Sequence, residues 1–112
     1  MTLNELISAL ERAEGPSDDL DDLIADTLGV RGWGYDDEGL HKVMDRALPY
    51  TSSIDDALTL VPERVWVDVR GISGKWPVAE YGHHTGEDVA GYGQAPGAAL
   101  SICIAALKAR AT

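Results

Sequence analysis

The stretch that decides the fold is "PGAALSICIAALKARA", residues 96 to 111. Its body is almost continuously apolar, and a helix that is apolar on all sides is typically enclosed by other elements. Pro96 suits the first position of a helix, and Lys108 and Arg110 lie near the end where the helix dipole is negative. The sequence therefore predicts a buried C-terminal helix around which the rest of the chain packs.

The residues before this helix predict a small sheet. "ERVWVDVR", residues 63 to 70, alternates valines with other side chains, as a strand with one buried face does. "GISGK" turns the chain, and "WPVAEYG" returns as the second strand of an antiparallel hairpin. A third short strand is expected at residues 88 to 92. Trp66 lies opposite the valines, where we expect a second helical layer to cover it, with self-association as the alternative.

Three shorter helices are predicted in the first half of the chain. Thr2 and Glu5 have the spacing of a capping box, and Ser17 and Ser53 can each cap the helix that follows. Apolar residues recur at helical spacing after each cap, and Gly29 ends the second helix.

The remaining segment, residues 29 to 50, reads mostly as loop with a short strand at Trp33 to Tyr35. A chain of 112 residues is the common size for one compact core. The sequence therefore predicts a single domain over residues 1 to 112. Its class is α+β, with a small antiparallel sheet layered between helices in an α-β-α sandwich-like arrangement.

Three blocks of the sequence resemble a known family. They are "AEGPSDDLDDLIADTLG", "YTSSIDDALTLVPE" and "ALSICIAALKARA", and together they extend over most of the chain. The chain is similar in these blocks to small phage and prophage proteins described as having a phage ABA sandwich domain. The middle block is the most specific, through Tyr50, Thr51, Ser52, Ser53, Ile54, Asp55, Ala57, Leu60, Val61 and Pro62.

The resemblance implies a layered sheet and a phage gene, and it implies no catalytic residues because the family has no established reaction. The chain departs from the family pattern at one place. Ala95 precedes Pro96 where the family pattern has a threonine, and alanine has no side-chain oxygen to cap a helix. The departure bears on where the last helix begins.

The net charge of −10 is concentrated in the first half of the chain. Residues 1 to 63 hold 15 acidic and 4 basic residues, and residues 64 to 112 hold 4 acidic and 5 basic ones. Phosphates and anionic lipids repel such a surface, which disfavours direct binding of DNA, RNA or membranes. No apolar run approaches the ~20 residues of a membrane span, and the first residues lack the basic cluster of a secretory signal. We therefore expect a protein of the host cytoplasm.

An acidic cluster in the second helix is the most unusual feature. Asp18, Asp19, Asp21, Asp22 and Asp26 lie there, continued after the helix by Asp36, Asp37 and Glu38. Carboxylates near a helix N-terminus are favoured by the dipole, which would make the cluster a solvated face. The alternative is a partner-binding surface that imitates a nucleic-acid backbone and occupies the basic groove of a host enzyme.

"GHHTGED", residues 82 to 88, is the candidate for a metal site. His83 and His84 are adjacent, so in an extended backbone their side chains face opposite ways, and their spacing matches no known zinc motif. We predict that they bind no structural zinc. Stoichiometric zinc in protein purified without added metal, lost on His83→Ala, would contradict this. A calcium loop of the EF-hand pattern is absent from the sequence.

Enzymatic motifs are weak. Cys103 lies between two isoleucines of the apolar helix, which favours an inert core thiol over a nucleophile. "GISG" lacks the spacing of a serine nucleophile elbow, and the glycines of "GYGQAPG" fit neither common phosphate-binding loop. We therefore predict no catalytic residues and no cofactor.

These observations predict a small non-enzymatic phage accessory protein that binds a host or phage protein. The alternative is an acidic inhibitor of a host defence or nucleic-acid enzyme that acts by nucleic-acid mimicry. Self-association into a homo-oligomer is a further expectation, left open by the aromatic residues of the predicted loops and strands.

Overall fold

The computed structural model describes residues 1–29, 33–35, 41–43, 47–71, 75–84 and 88–111 of the protein. Within them lie four helices, α1 (Leu3–Glu11), α2 (Asp18–Leu28), α3 (Ile54–Leu58) and α4 (Ala98–Arg110). The strands are β1 (Trp33–Tyr35), β2 (His41–Val43), β3 (Val65–Arg70), β4 (Val78–His83) and β5 (Gly91–Gln94).

The caps of the first three helices were predicted correctly. The Thr2 hydroxyl accepts a hydrogen bond from the Glu5 amide, and the Glu5 carboxylate accepts one from the Thr2 amide. Ser17 and Ser53 cap α2 and α3, and Gly29 ends α2 in the left-handed conformation that glycine tolerates. Each cap satisfies backbone groups that the helix itself leaves unpaired.

Strands β3, β4 and β5 form one antiparallel sheet in chain order. The predicted hairpin is confirmed, with Val67 opposite Tyr81 and Val69 opposite Ala79. The third strand was predicted at residues 88 to 92 and lies at Gly91–Gln94 instead. Strands β1 and β2 pair antiparallel in a separate hairpin, of which the sequence indicated the first strand only.

Helix α4 lies at the centre of the fold, and ten of its thirteen residues are buried. The sheet packs on one side of it, and α1 and α3 pack on it as well, with α2 against α1. Leu6, Leu10, Ile24 and Leu60 join α4 in the hydrophobic core, and none of them is more than 2% exposed. The predicted class, a small antiparallel sheet packed against helices in an α+β domain, is confirmed.

A buried serine joins α4 to the sheet. The Ser101 Oγ accepts a hydrogen bond from the Ala95 amide at 3.0 Å and lies 2.8 Å from the Pro77 carbonyl and 3.0 Å from the Gly97 carbonyl. It therefore links the start of β4, the end of β5 and the first turn of α4. The helix begins at Ala98 with Gly97 as its N-cap, so the prediction that Pro96 takes the first helical position is wrong.

Trp66 lies on the sheet face opposite Val65 and Val67, as its place in the strand predicts. Its indole packs on Gly82, the residue directly across the ladder, where a Cβ atom would lie 2.4 Å from the ring. The side chain is half-buried. In the described part of the chain, the contacts between helices and the sheet come from α4 on the other face, so a helix over Trp66 was not found.

Candidate functional site

Four carboxylates form an exposed face on α2, which we call the acidic face of α2: Asp18, Asp19, Asp22 and Asp26. At ~100° per residue these four positions lie within about 100° of arc around the helix axis. Asp18, Asp19 and Asp22 take part in no ion pair among the described residues, where the acidic partners in ion pairs are Asp68, Glu80 and Glu11. Asp18, Asp19 and Asp22 therefore present charge to solvent that no described cation neutralises.

Asp21 does not belong to this exposed face. The residue is 5% exposed, and its Oδ1 atom accepts hydrogen bonds from the backbone amide and the hydroxyl of Thr51, each at 2.8 Å. The Thr51 hydroxyl in turn accepts a hydrogen bond from the Ser17 amide at 3.0 Å. Asp21 therefore fastens the start of α2 to the turn before α3.

The helical period could have placed Asp21 on the buried side. It precedes Ile24 by three positions and Leu28 by seven, which is the spacing of one helix face. Its partner Thr51 could not be found from the sequence, because the two residues are 30 positions apart. This spacing was overlooked because Asp21 lies in the sequence among four other aspartates, all of which are exposed.

Burial raises the pKa of the Asp21 carboxyl above its ordinary value. The hydrogen bonds from the Thr51 amide and hydroxyl act in the opposite direction, and the neighbouring carboxylates of Asp18 and Asp22 add to the increase. Because the pKa is raised on balance, the surroundings of Asp21 disfavour its negative charge. A proton or a cation beside it would relieve this cost.

A groove of about 500 Å³ lies beside Asp21, between α2 and the chain that leads to α3. Carboxylates from α2 line one side, and apolar side chains line the other. The lining residues are Asp18, Asp21, Asp22, Ala47, Leu48 and Pro49. The structure thus brings three of the predicted site residues together around one concave surface, whereas Asp36, Asp37 and Glu38 lie outside the described residues.

The histidines of "GHHTGED" are both exposed at the end of β4. The His84 amide donates to the Arg64 carbonyl at 2.8 Å, which continues the sheet ladder past His83. Residues 85 to 87 of the motif lie outside the described residues. Among the residues that are described, no group of three or more histidine, cysteine, aspartate or glutamate side chains is arranged to hold a metal ion.

Cys103 is fully buried in α4, and its thiol lies 3.2 Å from the Tyr50 carbonyl. Burial, with a smaller contribution from Asp21, raises the pKa of the thiol to about 12. The thiolate that reacts with electrophiles is therefore scarce at neutral pH. We expect no reaction of the folded protein with a thiol reagent such as dithiobisnitrobenzoate at pH 8, and one equivalent reacted after unfolding in guanidinium. Rapid reaction of the folded protein would contradict this.

Comparison with known protein families, with curated proteins and with solved structures found no match. Within the described residues, every helix is too short or too polar to cross a membrane. The resemblance to phage ABA sandwich proteins thus stays a prediction from the sequence. What the site offers physically is a set of carboxylates, one of them buried, around a groove with an apolar wall.

Proposed function

We propose that this protein is a non-enzymatic phage accessory protein that binds a basic protein partner through the acidic face of α2 in the host cytoplasm. The observation that carries the proposal is the exposure of Asp18, Asp19 and Asp22 without a cationic partner among the described residues. Unpaired carboxylates of one sign on one face attract a positively charged surface and speed its association. The resemblance of the sequence to phage proteins supports the phage origin.

Inhibition by nucleic-acid mimicry is the second candidate, and the spacing of the charges favours it. Asp18 and Asp22 are four residues apart, which is ~6 Å along a helix that rises ~1.5 Å per residue. Three carboxylates over that length, with Asp19 between them, give about one charge per 3 Å, near the ~3.4 Å per charge of one DNA strand. A protein groove built for a phosphate backbone would therefore meet a similar line of charge on α2.

Affinity purification from phage-infected cells tests the proposal. The tagged protein is washed at moderate and then high salt, and the bound proteins are identified by mass spectrometry. We expect a stoichiometric basic partner that high salt releases, because salt screens exposed charges. The variant D18N/D19N/D22N should lose this partner.

The matched control is E63Q/D68N/D88N, which changes exposed carboxylates on or next to the sheet. Both triple variants reduce the net negative charge from −10 to −7. They differ in where the charge is removed and in the exposed Asp68–Arg70 ion pair that D68N also breaks, a pair that contributes little to stability. Equal binding by the two variants, or recovery of self-assemblies alone, would contradict a role for the acidic face of α2. Competition by duplex DNA separates the candidates, since a mimic shares its binding site with DNA and a simple accessory protein does not.

A further inference from the structure

We infer that two copies of this protein join edge to edge through β3, so that their three-stranded sheets form one continuous antiparallel sheet. The inference goes beyond the proposed function and does not depend on it, because the acidic face of α2 takes no part in the contact. Three features carry it: the open edge of β3, an exposed valine on that strand, and two opposite charges that match a second copy of the same edge.

The free side of β3 carries backbone groups without partners. The sheet order is β3-β4-β5, so β3 has a neighbouring strand on one side only. The bond from the His84 amide to the Arg64 carbonyl fixes the pairing, because bonded pairs alternate along an antiparallel ladder. Even-numbered residues of β3 therefore bond to β4, and odd-numbered residues direct their N–H and C=O groups outward. The amides of Val67 and Val69 have no acceptor among the described residues.

The opposite edge of the sheet is blocked. On β5 the Tyr92 carbonyl accepts a hydrogen bond from the Lys108 Nζ at 3.0 Å, and this ammonium lies 5.5 Å from the centre of the Tyr92 ring. A lysine at an edge is one of the devices that keep a strand from pairing with another chain. Strand β3 has no proline and no bulge in its register with β4. Within the described part of the chain, β3 is therefore the edge that can receive another strand.

A two-fold axis restricts how two β3 edges can pair. Residues that direct backbone groups outward must face one another, so the axis passes through one of four residues in the middle of the strand. An axis at Asp68 places Asp68 opposite Asp68 of the second copy, and like charges across a ladder are unfavourable. An axis at Val67 places Val69 opposite Val65, whose amide already donates to the Pro62 carbonyl at 3.3 Å. Both registers are therefore disfavoured.

The charges of β3 select one of the two remaining registers. An axis at Trp66 would use the start of the strand, where Arg64 has a φ of 65° and so leaves the extended conformation. An axis at Val69 uses the exposed half of the strand instead. It places Asp68 of each copy opposite Arg70 of the other, on the sheet face away from α4. Opposite charges directly across a ladder stabilise the pairing.

The register centred on Val69 also covers apolar surface. Val69 is 39% exposed, and in this register it lies directly across from Val69 of the second copy. Val67 lies opposite Gly71, where a Cβ atom would meet nothing within 4 Å, so the approaching strand has room. The contact buries less surface than a standard interface does, so we expect a weak and reversible dimer.

Sedimentation equilibrium measures the self-association, and amide hydrogen exchange followed by NMR locates it. We expect a monomer–dimer equilibrium over protein concentrations from about 10 µM to about 1 mM. Tenfold dilution from the top of this range should speed exchange of the Val67 and Val69 amides by at least about twofold, because these amides are bonded only in the dimer. The Tyr92 amide, on the opposite edge of the sheet, is the control, and its exchange should not change on dilution.

Charge reversal tests the register. R70D leaves carboxylates at positions 68 and 70, and D68R leaves guanidinium groups at both, so each variant meets like charges in its own dimer. Each should weaken self-association by at least about fivefold. An equimolar mixture of the two should recover the wild-type affinity to within about threefold, because opposite charges face each other again. Recovery in the mixture also shows that both variants are folded.

Net charge alone predicts a different pattern. D68R reduces the net negative charge from −10 to −8, which by itself would favour association. R12E, at an exposed position at the end of α1, gives the same net charge of −12 as R70D and should change the affinity by less than about twofold. A protein that stays monomeric at about 1 mM, a mixture that associates no better than its components, or equal weakening by R12E and R70D would overturn the inference. Exchange of the Val67 and Val69 amides that ignores dilution would do so as well.

Discussion

Replacing Gly93 with alanine is expected to destabilise the protein by about 3 kcal/mol, the upper part of the usual range for adding atoms to a packed core. Gly93 lies in β5 directly under α4. A Cβ atom at this position would lie 2.5 Å from the Ser101 carbonyl oxygen, 2.7 Å from the Ala105 amide nitrogen and 2.7 Å from the Ile104 Cβ. None of these atoms can rotate away, so α4 must move off the sheet.

Urea unfolding, followed by tryptophan fluorescence and circular dichroism, measures this effect. Gly15→Ala is the matched control, because a Cβ there meets no atom within 4 Å and the backbone conformation suits alanine. The control should gain up to about 1 kcal/mol, since alanine restricts the unfolded chain more than glycine does. A Gly93→Ala protein as stable as wild type would mean that α4 and β5 do not pack in close contact in solution.

Gly93 also explains why the third strand was misplaced by sequence reasoning. The glycines at positions 91 and 93 read as a flexible loop, but both are required for close packing. A Cβ at Gly91 would lie 2.6 Å from the Tyr81 hydroxyl, and one at Gly93 would enter the backbone of α4. A glycine in a strand can mark a close approach of another element, and a single sequence does not say which element approaches.

The remaining predictions succeeded where an interaction joins residues close together in the sequence, and failed where it joins residues far apart. The caps at Thr2, Ser17 and Ser53 were predicted because each side chain bonds to an amide three residues away. The start of α4 was missed because the Ser101 hydroxyl binds Ala95, Gly97 and, 24 residues away, Pro77. That network belongs to the packed fold and leaves no local pattern.

The candidate site likewise contains residues that the sequence could predict and others that it could not. The exposed aspartates of α2 were found from composition and helical spacing, and Asp21 was grouped with them because one sequence cannot separate a buried carboxylate from its exposed neighbours. The hydrogen bonds from Thr51 and the apolar wall at Leu48 and Pro49 come from chain that follows α2 by about twenty residues or more. The groove is therefore a property of the fold.

Asp21 provides the second large expected effect, through a pair of substitutions. Asp21→Ala should destabilise the protein by about 2 to 3 kcal/mol, because the buried Thr51 amide loses its acceptor and the Thr51 hydroxyl keeps only the Ser17 carbonyl, at 3.3 Å. Asp21→Asn keeps an acceptor oxygen for both donors and removes the charge. Since burial disfavours that charge, Asp21→Asn should be at least as stable as wild type at pH 7.

The pH dependence separates the charge of Asp21 from its hydrogen bonds. The pKa of Asp21 is raised in the folded state above its ordinary value of 3.8, so the folded protein holds this proton more tightly than the unfolded chain does. The resulting stabilisation is complete below pH 3.8 and is lost as the pH rises through the raised pKa. Wild type should therefore lose stability relative to Asp21→Asn over this interval and stay lower above it.

Urea unfolding of wild type, Asp21→Asn and Asp21→Ala across this pH range measures the two contributions. The other carboxylates titrate in all three proteins, so their effects largely cancel in the differences between them. A difference between wild type and Asp21→Asn that does not change with pH, or one in which wild type gains with rising pH, would contradict a disfavoured charge at Asp21. In that case the hydrogen bonds from Thr51 would already compensate the buried carboxylate within the folded chain.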